Sequence, residues 1–389
     1  MWAERACGVV LFIAAAIPVT ASAADTELRG HMDLSVGYAS NDAGGAGNVL
    51  SGVGRASTVG LRIRERLAPG WSVFTEIDAG IDAARGLRDT NPSIALGGAL
   101  PDHVDGVTPM PVRCAMPPGQ GSRRTVLGLT TPAGEWRLGR EQTPSMEMLG
   151  RLDRFNFHGW GALSSLATQI QAFDCNAIRY LSPFLSGVRL DAMVSLDEAS
   201  ASLSASGRGI IGQDAVLSYT AGAFVVAAGY RREHWRAEGS EARRSSSLVG
   251  LSVPYEGVTL TVPFVHARRW GGGRAIVTGF GISVPVGNDR FALQYTRHRL
   301  EAQGRSHTLG VRYTRFLSRR VQTYVSWGAV RNGAGAMLPL AADNAAILPF
   351  SPGGDARAIS IGMSVSFHRE LACEYGFDAQ GCQFGARRR

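Results

Sequence analysis

Apolar and polar residues alternate in short, regular rows along almost the whole chain. Near the start Leu28, Met32, Leu34, Val36 and Tyr38 share one parity, while Arg29, His31, Asp33 and Ser35 take the other. Val59, Leu61 and Ile63 alternate with Arg62 and Arg64, and near the far end Ile359, Ile361, Met363, Val365 and Phe367 alternate with Ser and Gly. A period of two puts each set on its own face of a β-strand. Similar stretches recur at 71–81, 124–130, 177–182, 187–195, 224–231, 258–266, 276–284, 290–298, 307–313 and 321–330. The pattern predicts an antiparallel, all-β protein.

Connections alternate in length. Ala68-Pro69-Gly70, Thr131-Pro132-Ala133-Gly134, Tyr255-Glu256-Gly257 and Gly287-Asn288-Asp289 have tight-turn chemistry. Between them come long connections at 82–122, 141–173, 196–212 and 331–355, rich in Gly, Pro, Ser and charge. Short turns at one end and long loops at the other describe a transmembrane β-barrel. A soluble sandwich would alternate in the same way, but a chain of this length would have to divide into several domains, and no linker-like shift in composition divides it. Strands of about ten residues with alternating turns and loops leave room for about 16 strands.

Composition narrows the choice. Hydrophobic residues make up 45% of the chain and charged residues 19%, which excludes wholesale disorder. The 49 glycines argue against long helices, and no apolar run reaches the ~18 residues that a spanning helix needs. All 40 basic residues are arginine, and against 32 acids they leave a charge of +8, spread out except at Arg387–Arg389. A nucleic-acid partner is therefore not expected.

The N-terminus reads as a secretory signal: Arg5, an apolar stretch from Gly8 to Ile17, Pro18, and Ala21-Ser22-Ala23 before a cut at Ala24. The expected organisation is a signal peptide at 1–23, a barrel at 24–367 and an extension at 368–389. Export leaves Cys114, Cys175, Cys373 and Cys382 in an oxidising compartment, at spacings that match no zinc motif. We expect Cys114 to pair with Cys175, and Cys373 with Cys382 in a periplasmic tail.

Several segments resemble the Gram-negative trimeric porins of the beta-proteobacterial type. They include Ser57-Thr58-Val59-Gly60-Leu61-Arg62 followed by Glu65 and Leu67-Ala68-Pro69-Gly70-Trp71, with Phe74 and Glu76 beyond. Further matches are Val126-Leu127-Gly128-Leu129 through Leu138-Gly139-Arg140-Glu141, Asn176–Pro183, and Tyr313–Arg320 followed by Tyr324. The resemblance covers essentially Glu27 to Phe367. It implies a 16-stranded barrel, a homotrimer and a third loop folded into the lumen as a constriction. Two features depart from the family: the 22 residues beyond Phe367, and the long stretch at 82–122.

No nucleophile elbow, phosphate loop, dinucleotide fingerprint or paired-histidine metal motif is present, so neither an enzyme nor a cofactor or metal site is expected. The useful chemistry is charge placement. By parity Arg29, Arg62, Arg64, Arg124, Arg179, Arg189 and Arg312 point into the lumen, with Asp33, Glu76, Asp78 and Asp191 on the same side. Arg140 shares the parity of Leu138, and only the family resemblance places it at the root of the constriction. Glu147 and Asp153, in the third loop, are the acids expected to face this basic wall. Guanidinium groups stay charged at any workable pH and would favour anions. The competing reading puts many of these arginines near strand ends, against lipopolysaccharide phosphates or neighbouring acids. The sequence thus points to an outer-membrane diffusion channel for small hydrophilic solutes, with an anion preference. A substrate-specific channel for a carboxylate-type solute is the alternative.

Overall fold

The alternating rows become sixteen strands of one antiparallel sheet, followed in chain order by residue range: β1 Asp25–Asn41, β2 Ser57–Ala68, β3 Trp71–Asp82, β4 Arg124–Thr131, β5 Gly134–Gln142, β6 Phe173–Leu181, β7 Val188–Leu196 and β8 Ile210–Ala221. The second half is β9 Phe224–Ala237, β10 Ser240–Tyr255, β11 Val258–Arg268, β12 Arg274–Val286, β13 Asp289–Leu300, β14 Gly304–Phe316, β15 Val321–Asn332 and β16 Ala356–Phe367. The structure, a computed structural model, describes residues 24–84, 86–88, 93–96, 123–163, 170, 172–196, 210–237, 240–268, 273–301, 303–342 and 345–367. The signal segment, the C-terminal extension and Cys114, Cys373 and Cys382 lie outside them.

Each strand pairs with its sequence neighbour, and β1 closes the barrel on β16 from Gly30 opposite Phe367 to Asn41 opposite Ala356. Closure leaves no free sheet edge, as lipid requires. The apolar rows face outward: Val36, Leu127, Leu217, Phe291 and Ile361 are exposed beside buried inward neighbours. In water this would be an uncovered apolar surface, whereas in a bilayer it is the lipid contact.

Three segments fold into the barrel. The first loop forms a hairpin arm, Gly44–Ser51, paired with the end of β1; the alternation did not predict it because Gly44, Gly45 and Gly47 interrupt the row. The chain then turns inward, burying Leu50 and Val53. The last loop turns inward too and buries Leu338, Leu340, Ala342 and Ile347 in one apolar cluster with Leu50, Val53, Trp160, Tyr324 and Val330. Its Ala345–Ile347 runs parallel to Ser93–Leu96 of the second loop.

The third loop carries a helix, α1, Pro144–Leu152. The Thr143 hydroxyl caps it by accepting the Met146 N–H at 3.3 Å, and Pro144 opens its first turn. Met146, Met148, Leu149 and Leu152 cluster with Val216, Ala227, Leu248, Val265 and Val277, from the inner face of β8 to β12. Full burial of such side chains contributes roughly 1.5–3 kcal/mol each. Beyond α1 the loop crosses to the far wall, where the Trp160 N–H donates to Ser326 Oγ at 2.9 Å and its indole N–H to Ser360 Oγ at 2.8 Å. Gly310 and Gly328 sit opposite each other there, and a Cβ on either would come within 3 Å of Trp160 backbone atoms. These two glycines are the seat on which the loop tip lies.

Candidate pore constriction

The inner faces of β1 to β7 carry an interlocked set of charges. Glu76 accepts from Arg29 at 2.7 Å and from Arg124 at 3.0 Å, with Arg62 at 4.0 Å. Asp78 lies 3.8 Å from Arg29. Glu141, itself buried, binds Arg124 at 2.5 Å and Arg137 at 3.0 Å, while Arg137 also holds Glu135 at 2.7 Å. Arg179 is 0% exposed and joins three acids: Asp191 through its Nε at 2.8 Å, Glu147 at 2.6 Å and Glu141 at 3.6 Å. Buried charges persist only when paired in this way.

Glu147 reaches this wall from α1, so the constriction helix is clipped to β6 by an ion pair. Burial would raise the Glu147 carboxyl, but the Arg179 and Arg151 guanidiniums override it and hold it well below the usual carboxylate range. Arg151, one helical turn on, lies 3.5 Å from Glu147 on the same face. A second clip fixes the start of the helix, where Asp214 accepts both the Ser145 N–H at 3.1 Å and its hydroxyl at 2.6 Å. Arg231 steadies Asp214 from 3.5 Å and binds Asp174 at 2.8 Å and Glu233 at 2.6 Å. The tip is held by a third knot. Arg312 donates to His158 O at 2.6 Å and Gly54 O at 3.2 Å, while Asp33 accepts the Gly54 N–H at 3.0 Å and the Tyr324 hydroxyl at 3.1 Å.

The expected lumen residues therefore separate into groups. Arg29, Arg62, Arg64, Arg124 and Arg189 point inward and keep part of their side chains open, as do Asp78 and Glu147. Arg64 and Arg62 rest over the Phe74 ring at 5.6 and 4.8 Å, and Arg189 over Phe184 at 4.9 Å. Arg179 and Arg312 also point inward but are buried, so they fasten the loops and do not line open water. Asp153 does not face the wall. It is 2% exposed and accepts the N–H groups of Phe155 at 2.9 Å, Phe157 at 3.0 Å and Leu163 at 2.7 Å. Its job is to shape the chain that leaves α1, because that stretch has no helix or strand to satisfy those donors. Arg140 stays on its strand parity. It stands opposite Thr125, in the row of Leu127 and Leu138, with its guanidinium 3.0 Å from Cys175 Sγ and over the Phe173 ring at 5.6 Å.

Arg137, Glu135, Glu141 and Arg151 belong to the site although none was singled out in the sequence. Parity is the signal that could have found Arg137, which lies between the outward Trp136 and Leu138. Asp214 gave no local signal, since Ser145 is 69 residues away, and although Arg231 has Glu233 two residues on, its other partner Asp174 is 57 residues away. Cys175 lies within β6 near its start and is disulfide-bonded; its partner is among the cysteines outside the described residues.

Solved barrels of this kind share the architecture. The chain superposes on an anion-selective porin from Comamonas acidovorans with a TM-score of 0.71 at 20% identity, covering 88% of this chain and all of that one. The trimer form of OmpT from Vibrio cholerae gives 0.58 at 12% identity, covering 89% of this chain and 100% of the other. OmpF of Salmonella typhi, in complex with daunomycin, gives 0.58 at 12% identity, with 88% and 97% covered. At such identities the likeness shows the fold alone. No curated protein matches the chain. The sequence itself, however, matches the family described as Gram-negative porin over residues 10–335. An outward apolar band, a closed sixteen-stranded sheet, a helix of the third loop packed on its inner face and that family match lead to one conclusion: the chain belongs to the Gram-negative porins and is an outer-membrane β-barrel channel.

Proposed function

We propose that the protein is a water-filled diffusion pore, working as a homotrimer, that passes small hydrophilic solutes and favours small anions. One observation carries the anion preference, the uneven pairing of charges on the inner wall. Glu76, Glu141 and Glu147 are each held by guanidiniums at 3.0 Å or less. Arg62 reaches a carboxylate only at 4.0 Å, and Arg64 and Arg189 have none within salt-bridge distance among the described residues. The charge left over is positive, fixed, and partly open to the lumen, where low-dielectric walls strengthen its field. The likeness to an anion-selective porin is consistent with this sign, and the likeness to a trimeric OmpT with the assembly.

Reversal potentials in a salt gradient, recorded across a planar bilayer, test the reading. The sign should report anions as the more permeant species, and a cation-selective potential would overturn it. Solute flux should rise linearly with concentration; saturation would favour a substrate-specific channel. Cross-linking of the unheated protein should stop at three subunits.

A further inference from the structure

The lumen arginines are held in two different ways. Arg29 and Arg124 carry carboxylates at 3.0 Å or less, so their charge is largely cancelled where they stand. Arg62, Arg64 and Arg189 have no carboxylate closer than 4.0 Å among the described residues, and these three lie over phenylalanine rings. Only the second arrangement leaves the charge whole. A ring holds a guanidinium by its quadrupole, which brings no net charge, whereas a carboxylate brings a full opposite one.

Phe74 serves two of the three. The inward row of β3 runs Ser72, Phe74, Glu76, Asp78, so the ring stands among polar side chains, and it belongs to none of the apolar clusters formed by the described residues. It is nevertheless 2% exposed. The register puts Phe74 between Arg64 of β2 and Gly128 of β4, with Arg62 on the adjoining diagonal. Gly128 makes room for the ring, because a Cβ there would come within 2.1 Å of its tip. The guanidinium carbons of Arg62 and Arg64 lie 4.8 and 5.6 Å from the ring centroid. The Nε atoms of both are buried with no hydrogen-bond partner, as follows when the inner edge of each guanidinium is laid against carbon. Glu76, opposite Arg62, is already bound by Arg29 and Arg124 and stops 4.0 Å short of it.

We propose that Phe74, seated on Gly128, is a positioning residue for ion selectivity: its ring holds Arg62 and Arg64 at the lumen and away from Glu76, so that both charges act undiminished on passing anions. This rests on the reading of the pore as anion-preferring, and it assigns part of that preference to a side chain with no charge. Without the ring, the 4.0 Å between Arg62 and Glu76 closes to a salt bridge, and one of the two charges is lost to the lumen.

The test compares reversal potentials in a salt gradient for the folded, full-length protein and its Phe74→Leu, Phe74→Tyr and Gly128→Ala variants in planar bilayers. Phe74→Leu keeps every charge, yet it should lower the anion-to-cation permeability ratio by about fivefold, the share of one guanidinium. Phe74→Tyr keeps the ring and should keep the wild-type ratio. Gly128→Ala displaces the ring and should lower the ratio in the same direction, so a second route remains if one variant does not assemble. In the background of Arg62→Gln with Arg64→Gln, Phe74→Leu should lower the ratio no further. A further fall there would mean that the ring shapes the lumen and does not act through the two arginines, which would overturn the proposal. A cation-selective wild type would defeat the anion reading itself. An anion-selective wild type whose ratio survives Phe74→Leu, or falls equally with Phe74→Tyr, would overturn the positioning role and leave the anion reading standing.

Discussion

Trp160 pins the tip of the third loop to the barrel wall, so its removal tests whether that loop sets the width of the lumen. The side chain is 0% exposed, and its indole donates to Ser360. Trp160→Ala should cost about 3–5 kcal/mol of docking free energy, through lost burial and the cavity left behind. What remains at the tip is the Trp160 N–H to Ser326, the Gly161 N–H to Ala341 O at 3.1 Å, and Arg312 to His158 O. At about 1 kcal/mol for each neutral bond and roughly 2 for the charged one, these supply about 4 kcal/mol. Holding the seven residues from Asn156 to Ala162 in place opposes this with about 1–2 kcal/mol per residue. The balance turns against docking, and the tip should detach while α1 stays on its own apolar seat. Single-channel recordings should show a larger mean conductance with added current noise, and the folded protein should unfold at a lower temperature. A quiet trace at the wild-type conductance would show that the tip does not set the width.

Other outcomes follow from the same geometry. Replacing Arg62 and Arg64 by Gln removes two lumen charges, each worth about 1 kcal/mol to an anion passing at 4 Å in water, so the anion-to-cation permeability ratio should fall by roughly thirtyfold; an unchanged reversal potential would place both side chains off the solute path. Burial pushes the Asp153 carboxyl up to about 6 against its three backbone donors. A folded-state value above the unfolded one means that the folded chain binds this proton more tightly, so acidification from pH 7 to about 5 should add thermal stability that Asp153→Asn lacks. Identical pH profiles for the two proteins would refute the burial argument. A non-reduced digest analysed by mass spectrometry should contain a Cys114–Cys175 linked peptide; a free thiol at Cys114 would assign the Cys175 partner to another cysteine. Truncation after Phe367 should leave assembly and conductance intact, because β16 is already fully paired to β1 by that residue, and failure of the shortened chain to insert would make the extension part of the assembly signal.

The barrel was legible because strand parity is local and lipid makes it strict. Ile359 to Phe367 could be assigned its two faces from nine residues, and the same rule gives the inward faces on which Arg29, Arg62, Arg64, Arg124 and Arg189 lie. What parity cannot report is depth. Arg179 and Arg62 both face inward, but one is sealed beneath α1 and the other borders the lumen, a difference made by a helix more than thirty residues away from Arg179 in sequence. The loops were less readable still, for there a polar residue serves its own backbone as readily as it serves the pore. Asp153 is the instance: an acid in the constriction loop, spent on three N–H groups of the chain that follows it. Arg140 is the converse, since its parity was right and only the family resemblance suggested otherwise.

The seat of paired glycines beneath Trp160 lies on β14 and β15, beside the apolar cluster built from the first and last loops. The partly open arginines stand on β1, β2, β4 and β7, on other strands than that seat. The loop contact and the lumen charges therefore rest on separate residues. A chain arranged in this way can change calibre by altering a loop contact while its ionic character stays the same, or exchange guanidiniums without moving the loop. The two properties are independently adjustable, and exchanging either set of residues between two such barrels should transfer each property separately.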